Sequence, residues 1–286
     1  MTRILVFGSI GPYTKSAVRT LMKQVEVVAT IVRRPVRSTP EHWLRHLLLR
    51  PSNIDFPSML LSTGVEREKS LYKKLGKYFP DLVVVIGFLH WLPPALVQSI
   101  SSGLVINAHP ALLPKDRGPA PPFWAFRRGD ESTGVTLHSL SDRFDEGDII
   151  AQQTVTIPRG IDGYRFAEQL GEIAGQLILQ KLPDLLTYSV ARTPQMISAD
   201  DFWASQPTHD DFRIVPETWQ AEKLFHFVRG ARVFGAPWAK LGGDVYYFSD
   251  AIEFTSTHLP GEFLLASGKL YLAVSDGTVV FRLMHE

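Results

Sequence analysis

The sequence contains no cysteine in its 286 residues. This absence excludes disulfide bonds, thiolate nucleophiles and cysteine ligands for a metal, and it fits a reducing compartment, so we expect a cytoplasmic protein. No apolar run approaches the roughly 18 residues of a membrane span. The apolar run at the N-terminus meets Gly8 too early for a signal peptide. We therefore expect a soluble protein without a membrane partner.

The chain also has little net charge. Its 30 Lys and Arg and 29 Asp and Glu leave a net charge of +1, which argues against a large phosphate-binding surface. The distribution is uneven, because residues 1–205 hold 23 basic and 19 acidic side chains, whereas residues 206–286 hold 7 and 10. The C-terminal part is therefore net negative.

The apolar patterns predict two domains, which the length allows. Strands and helices alternate over residues 1–190, as is typical of an α/β domain with a Rossmann-like open sheet. The predicted strands are 3–7, 25–32, 81–86, 104–106, 134–138 and 149–157. One predicted helix follows the first strand and ends near residue 23, and the other three are 66–77, 119–128 and 161–182. The polar, irregular chain after residue 182 contains a linker at 191–213.

Residues 214–286 have a different pattern. One amphipathic helix, 217–229, precedes short strand-like runs that are separated by Gly and Asp. The predicted strands here are 245–248, 262–265, 270–274 and 279–283. This pattern predicts a small, mostly β domain of the OB-like, partly open barrel type.

Two segments of the N-terminal part leave alternatives open. Gly8, Gly11 and Thr14 suggest a nucleotide site at the first strand-to-helix turn, but they lack the full dinucleotide fingerprint and suit any tight turn. Residues 33–50 are rich in arginine, and Pro40 begins a predicted helix there. The arginines form either a solvated basic face or an anion clamp for a phosphorylated acceptor.

An amide, an imidazole and a carboxylate follow in the middle of the chain. Asn107 and His109 are two residues apart, so in extended chain their side chains share a face. Because Pro110 and Pro114 prevent a helix, we expect this pair to leave the strand and enter a rigid loop. Asp145 lies in a Gly-containing turn. Singly such residues usually have a structural role, but together they supply an oxyanion donor, a base and an acid group that tunes it.

The stretch 106–148 resembles the signature of the formyltransferases that use 10-formyltetrahydrofolate. This family includes methionyl-tRNA, glycinamide ribonucleotide and sugar-nucleotide formyltransferases. Its signature runs through Asn-x-His, Leu-Leu-Pro, Arg-Gly or Pro-Gly, Gly-Asp, Gly-Val-Thr and Asp-x-Gly. The matching residues, in order, are Asn107, His109, Leu112, Leu113, Pro114, Arg117, Gly118, Gly129, Asp130, Gly134, Val135, Thr136, Asp145 and Gly147. Ala111 departs from the pattern, since the family often has Ser there, and any role of that hydroxyl is lost.

The resemblance implies direct transfer of a formyl group from 10-formyltetrahydrofolate to an amine, without an acyl-enzyme and without a metal. It implies that His109 moves the proton, that Asp145 holds the imidazole tautomer, and that Asn107 donates to the tetrahedral oxyanion. The residues assigned to the folate donor are Phe88, Leu89, His90, Leu92, Leu140, Ser141, Asp142 and Phe144. Apart from the resemblance, the loop after the predicted strand 81–86 is apolar and aromatic, which is typical of a loop that lines a small-ligand site in an open α/β sheet. The candidates for contact with the acceptor are Arg117, Gly118 and Trp124, with core packing as the alternative for the aromatic side chain.

The acceptor itself is left open. The net negative C-terminal part favours a small amine, either a sugar nucleotide or an amino-acid-derived precursor, over tRNA. Methionyl-tRNA is the alternative, because the C-terminal part weakly resembles that branch at Trp219, Leu224, Arg229, Gly230 and Pro237. A hydrolase would release formate from the same folate with water in place of the amine, whereas a non-catalytic nucleotide-binding module would leave the three polar side chains unexplained. A homodimer is compatible with the sequence.

Overall fold

The computed structural model describes residues 1–33, 58–61, 75–101, 103–198 and 200–284. The chain forms two compact units, each assembled from three segments. The first contains Met1–Pro119, Thr133–Val155 and Ala167–Ala204, and the second contains Ala120–Ser132, Thr156–Phe166 and Ser205–Glu286. Neither unit is one continuous stretch of chain, and the sequential domain bounds at residues 190 and 214 stay a prediction.

The first sheet has seven strands in the part of the chain that the structure describes. Along the chain they are β1 (Arg3–Gly8), β2 (Glu26–Arg33), β3 (Ser58–Leu61), β4 (Leu82–Ile86), β5 (Val105–His109), β6 (Ser132–Ser139) and β7 (Ile149–Thr156). Their order in the sheet is β3-β2-β1-β4-β5-β6-β7. The first five are parallel, and β6 is antiparallel to β5. Every residue of β4 is apolar and buried, as expected for a central parallel strand with both faces covered. The predicted α/β class with an open sheet is confirmed.

Among the described residues, the chain up to Leu186 forms four helices: α1 (Pro12–Leu21), α2 (Pro94–Gln98), α3 (Pro121–Arg128) and α4 (Gly163–Leu186). The first three begin at proline, which suits the first helical position because an N–H there has no intrahelical acceptor. The prediction that the fourth helix ends at residue 182 is wrong, since α4 runs through Pro183. Leu185 is fully buried, so the apolar face of α4 continues beyond the proline and outweighs its local preference to end a helix.

The second unit carries a separate antiparallel sheet. Its strands are β8 (Trp238–Leu241), β9 (Asp244–Thr255), β10 (Phe263–Ala266), β11 (Lys269–Val274) and β12 (Gly277–Leu283), in the order β10-β11-β12-β9-β8. A Cβ atom on Gly242, in the β8–β9 turn, would lie 3.3 Å from the Phe263 ring in β10, so the sheet curls. The predicted small β part is therefore confirmed. Strand β8 was not predicted, because four residues directly after Pro237 give too short a pattern.

Helix α5 (Ala221–Ala231) packs with this sheet around aromatic side chains. Phe248 and Phe281 stack with ring centroids 4.3 Å apart, and Trp219 stacks on Phe227 at 5.1 Å. The helix begins four residues later than predicted, because Pro216–Thr218 form a separate 3₁₀ turn.

Two predictions lie outside the described residues. The arginine-rich segment and its helix follow Arg33, which is the last described residue of β2. Most of the predicted helix 66–77 is also outside, and the described part at its end contains the 3₁₀ turn Gly76–Tyr78. None of the described helices has the length and apolar character needed to cross a membrane.

Candidate active site

Strand β5 carries the amide and the imidazole. The structure includes both Asn107 and His109 in this strand, so the prediction that they leave it is wrong. The antiparallel register with β6 explains the longer strand, because Asn107 pairs with His138 and His109 pairs with Thr136. The two side chains still share a face, since they remain two residues apart in extended chain.

Asp145 meets both side chains from the turn between β6 and β7. Its Oδ1 atom accepts a 3.3 Å hydrogen bond from Asn107 Nδ2 and lies 3.5 Å from His109 Nδ1. Its Oδ2 atom accepts a 2.9 Å hydrogen bond from the Gly118 amide. The structure therefore brings together the three residues that the sequence singled out as catalytic, and it adds a backbone donor that orients the carboxylate.

The imidazole of His109 is oriented by a backbone carbonyl. Nε2 lies 2.9 Å from the Asp116 carbonyl oxygen, which can only accept, so Nε2 carries a hydrogen. In the neutral ring the lone pair is then on Nδ1, the atom that faces Asp145. The Asp116 carbonyl therefore fixes the neutral tautomer, although the family resemblance implies this role for Asp145. His109 is 4% exposed, so this arrangement is protected from bulk water.

His138 is the fourth member of the cluster and was not among the predicted site residues. Its Nδ1 donates to the Ser139 carbonyl at 2.9 Å, and its Nε2 therefore accepts a 3.0 Å hydrogen bond from Asn107 Nδ2. Burial lowers the pKa of His138 to about 4, against the opposing effect of the Asp145 carboxylate. A neutral His138 leaves its Nε2 lone pair available to hold the Asn107 amide.

A signal for His138 was present in the sequence. It lies two residues after Thr136 in a predicted strand, so both side chains share a face. What the sequence does not contain is the register that places this face opposite Asn107 and His109.

The loop after β5 is fixed by polar side chains of the neighbouring strands. Thr136 Oγ1 donates to the Ala111 carbonyl at 2.6 Å and accepts from the Leu113 amide at 3.1 Å. Gln152 Nε2 donates to the Leu113 carbonyl at 2.8 Å. Ala111 is buried, so the position that often holds Ser in the family packs here as a small apolar residue.

The residues assigned to the folate donor occupy two segments of the first unit. Leu92 is buried in a core cluster, and Phe88 and Leu140 pack against the same cluster, so both segments border it. Leu89, His90, Asp142 and Phe144 are exposed, and Ser141 is half-buried. The segments therefore combine an apolar base with exposed side chains that a planar ligand could contact.

The three acceptor candidates have different surroundings. Arg117 is 7% exposed, and its guanidinium pairs with Glu146 at 2.6 Å and Asp201 at 3.7 Å. Its Nε is buried and has no acceptor among the described residues. Gly118 holds Asp145 and has a φ of +120°, which favours glycine. Trp124 belongs to the second unit, where its Nε1 donates to the Ser205 carbonyl at 2.8 Å.

Among the described residues, no group of three or more His, Cys, Asp or Glu side chains is arranged to hold a metal ion. The described cluster offers hydrogen-bond donors, an imidazole lone pair and one carboxylate within a largely buried space. These groups are suited to binding and deprotonating an amine at a carbonyl centre.

Comparison with known proteins agrees with this chemistry. The family model described as formyl transferase matches residues 2–182. The methionyl-tRNA formyltransferase of Enterococcus faecalis is 29% identical over 298 aligned positions, which cover 98% of this chain and 90% of that protein.

Solved structures share the fold. HypX from Aquifex aeolicus in complex with tetrahydrofolic acid matches with a TM-score of 0.68 at 19% identity over 98% of this chain and 43% of HypX. The chain therefore spans less than half of HypX. An N-formyltransferase from Helicobacter canadensis, in complex with folinic acid and dTDP-3-aminofucose, matches with a TM-score of 0.62 at 14% identity over the full length of both chains. The family match covers more than half of the sequence, includes β5 and the Asp145 turn, and shows that the chain belongs to the formyl transferase family of enzymes.

Proposed function

We propose that this protein transfers a formyl group from 10-formyltetrahydrofolate directly to a primary amine of a small-molecule acceptor. The observation that carries the proposal is the convergence of Asn107, His109 and Asp145, with the His109 Nδ1 lone pair facing Asp145 at 3.5 Å. The folate would bind at the two segments that contain Phe88, Leu89, His90, Leu92, Leu140, Ser141, Asp142 and Phe144.

His109 Nδ1 is the proton-accepting atom in this scheme. The amine nitrogen attacks the formyl carbon, and a proton passes from the amine to Nδ1, because Nε2 is already occupied by its bond to Asp116. The imidazolium that forms is stabilised by the Asp145 carboxylate. The bond between the formyl carbon and the folate N10 then breaks, and the same proton is returned to N10. Protons balance, and no acyl-enzyme is needed.

Asn107 would stabilise the oxyanion of the tetrahedral intermediate. Both hydrogens of its amide have acceptors, with His138 at 3.0 Å and Asp145 at 3.3 Å. The longer bond is the one that an oxyanion would displace, especially once Asp145 faces an imidazolium. Loss of one such donor costs about 3 kcal/mol in comparable sites.

The charge of the second unit supports a small acceptor. This unit contains 11 Lys and Arg against 13 Asp and Glu, a net charge of −2. Binding of a tRNA backbone is mainly driven by cations, which this unit does not have in excess. The alternative acceptor is methionyl-tRNA, which is favoured by the name of the Enterococcus relative and by the length over which it matches.

A turnover assay with pooled acceptors tests the proposal. Wild-type protein is given 10-formyltetrahydrofolate together with amino-sugar nucleotides, amino acids with a second amine, or initiator methionyl-tRNA. Formylation of a small amine, with none of the tRNA, is the expected result. Formylation of the tRNA alone would show that the acceptor is methionyl-tRNA and not a small amine. Steady release of formate without any acceptor would make the protein a hydrolase and reject the transfer mechanism.

A further inference from the structure

Gln195 holds the turn that presents Asp145, although it lies in chain that the sequence predicts to be a linker. Its Nε2 donates to the Asp145 carbonyl at 2.8 Å and to the Gly147 carbonyl at 2.7 Å. Both hydrogens of the side-chain amide are therefore used on one turn. These two bonds join residues that are 50 and 48 positions apart in the sequence.

The turn needs such support because its backbone is unfavourable. Asp145 has a φ of +57°, a left-handed conformation that costs a non-glycine residue free energy and persists only where the surroundings impose it. Gly147 lies so close to β6 that a Cβ atom would overlap the Ser139 carbonyl. Glu146, between them, is held by the buried guanidinium of Arg117. Gln195 bonds to the carbonyls on both sides of Glu146 and so fixes the path of the backbone.

The segment that contains Gln195 is itself held in place by contacts before and after that residue. Thr193 and Ile149 exchange two backbone hydrogen bonds of 2.8 Å. Further along, the Ala204 amide donates to the Arg117 carbonyl at 2.7 Å, and Asp201 faces the Arg117 guanidinium. Gln195 therefore reaches the turn from a fixed position within the same unit, rather than from a free linker.

We propose that Gln195 is a positioning residue for the reaction, and that it acts by holding the Asp145 carboxylate against His109, Asn107 and the Gly118 amide. The inference rests on the proposed function for its kinetic consequence, but its structural consequence can be measured without turnover. If the side-chain amide is lost, the turn relaxes from the left-handed conformation and the carboxylate moves away from its three partners.

The test compares Gln195→Ala with Met196→Ala, since Met196 is the next residue and is 91% exposed. We expect Gln195→Ala to lower kcat by about 10- to 100-fold, the effect of a misplacement near 1 Å. Met196→Ala should match the wild type. An unchanged kcat in Gln195→Ala would overturn the proposal.

Gln195→Glu provides a pH readout that a merely structural role would not give. The introduced carboxylate cannot donate to the two carbonyls, whereas its protonated form donates one hydrogen bond. We expect the activity of this variant, as a ratio to the wild type at each pH, to increase as the pH is lowered through the range in which the new carboxyl is protonated. A ratio that is independent of pH would contradict the assigned donor role.

Amide hydrogen exchange of Gly118, measured by NMR, separates this inference from the function. Its amide donates to Asp145, so exchange should be about tenfold faster in Gln195→Ala and unchanged in Met196→Ala. If the wild type transfers no formyl group but this difference is seen, the proposed function fails and the positioning role stands. If transfer is seen but Gly118 exchange is equal in both variants, the positioning role fails.

Discussion

At the residue scale, the neutral state of His138 connects the site to the stability of the fold. The folded protein binds a proton at His138 only near pH 4, whereas the unfolded chain does so near the ordinary pKa of 6.5. Since the unfolded state binds more protons between these values, stability is complete above about pH 6.5 and falls as the pH is lowered towards 4.

We predict that this single group lowers the free energy of unfolding by up to about 3 kcal/mol between about pH 6.5 and 4. In His138→Gln this component of the pH dependence should disappear. Urea unfolding at a series of pH values measures it, and His258→Gln, at an exposed histidine, is the control. If the free energy of unfolding depends on pH equally in His138→Gln and the wild type, His138 is not buried in its neutral form.

At the element scale, the Asp145 turn depends on the absence of a side chain at Gly147. We predict that Gly147→Ala displaces the turn, lowers transfer activity by at least about 100-fold and destabilises the protein by about 2 kcal/mol. Gly261→Ala is the matched control, because a Cβ atom at Gly261 meets nothing within 4 Å. Kinetics and thermal unfolding of the two variants measure both effects, and a fully active Gly147→Ala would show that the turn tolerates displacement.

The segment after β4 gives a second prediction at this scale. Leu89 is 57% exposed and lies next to Phe88, whose ring packs on the core cluster. If this segment contacts folate, Leu89→Ser should weaken tetrahydrofolate binding by about tenfold, the value of roughly 1.4 kcal/mol of lost apolar contact. The melting temperature of the Leu89→Ser variant should equal that of the wild type. Leu264→Ser, at a leucine that is 51% exposed in the second unit, is the control, and equal folate affinities in both variants would remove this segment from the donor site.

Local patterns predicted the elements whose preference agrees with their packing. Residues 82–86 are uniformly apolar and form a buried central strand, as predicted. Where local preference and packing disagree, the sequence was misleading: Pro183 does not end α4, because the buried Leu185 follows it. Strand β8 is too short to show a period and gains its place by pairing with β9.

The candidate site follows the same division. The spacing of Asn107 and His109 and the Gly-containing turn at Asp145 are local features, so they could be read from the sequence. The roles of His138 and Gln195 depend on strand register and on contacts between distant segments, which no local pattern records. The orientation of His109 by the Asp116 carbonyl likewise exists only in the folded loop.

At the scale of the whole molecule, the charge distribution bears on the acceptor. A chain with a net charge of +1, and −2 on the second unit, should show little dependence of acceptor binding on ionic strength. We predict that the KM for a small amine changes less than about tenfold between about 50 and 200 mM salt, where a protein with about 6–10 phosphate contacts loses about 10³–10⁵ in affinity. Steady-state kinetics at several salt concentrations measure it, and a steep loss of affinity would point to a nucleic-acid acceptor.

The proposed mechanism depends on His109, which takes the proton of the attacking amine. The most direct measurement is single-turnover formyl transfer from 10-formyltetrahydrofolate by the wild type, His109→Ala and the control His258→Ala. We predict transfer at equal rates by the wild type and the control, and a rate about 10²–10⁴-fold lower in His109→Ala, the usual contribution of a positioned general base. Transfer by His109→Ala at the wild-type rate would contradict the mechanism.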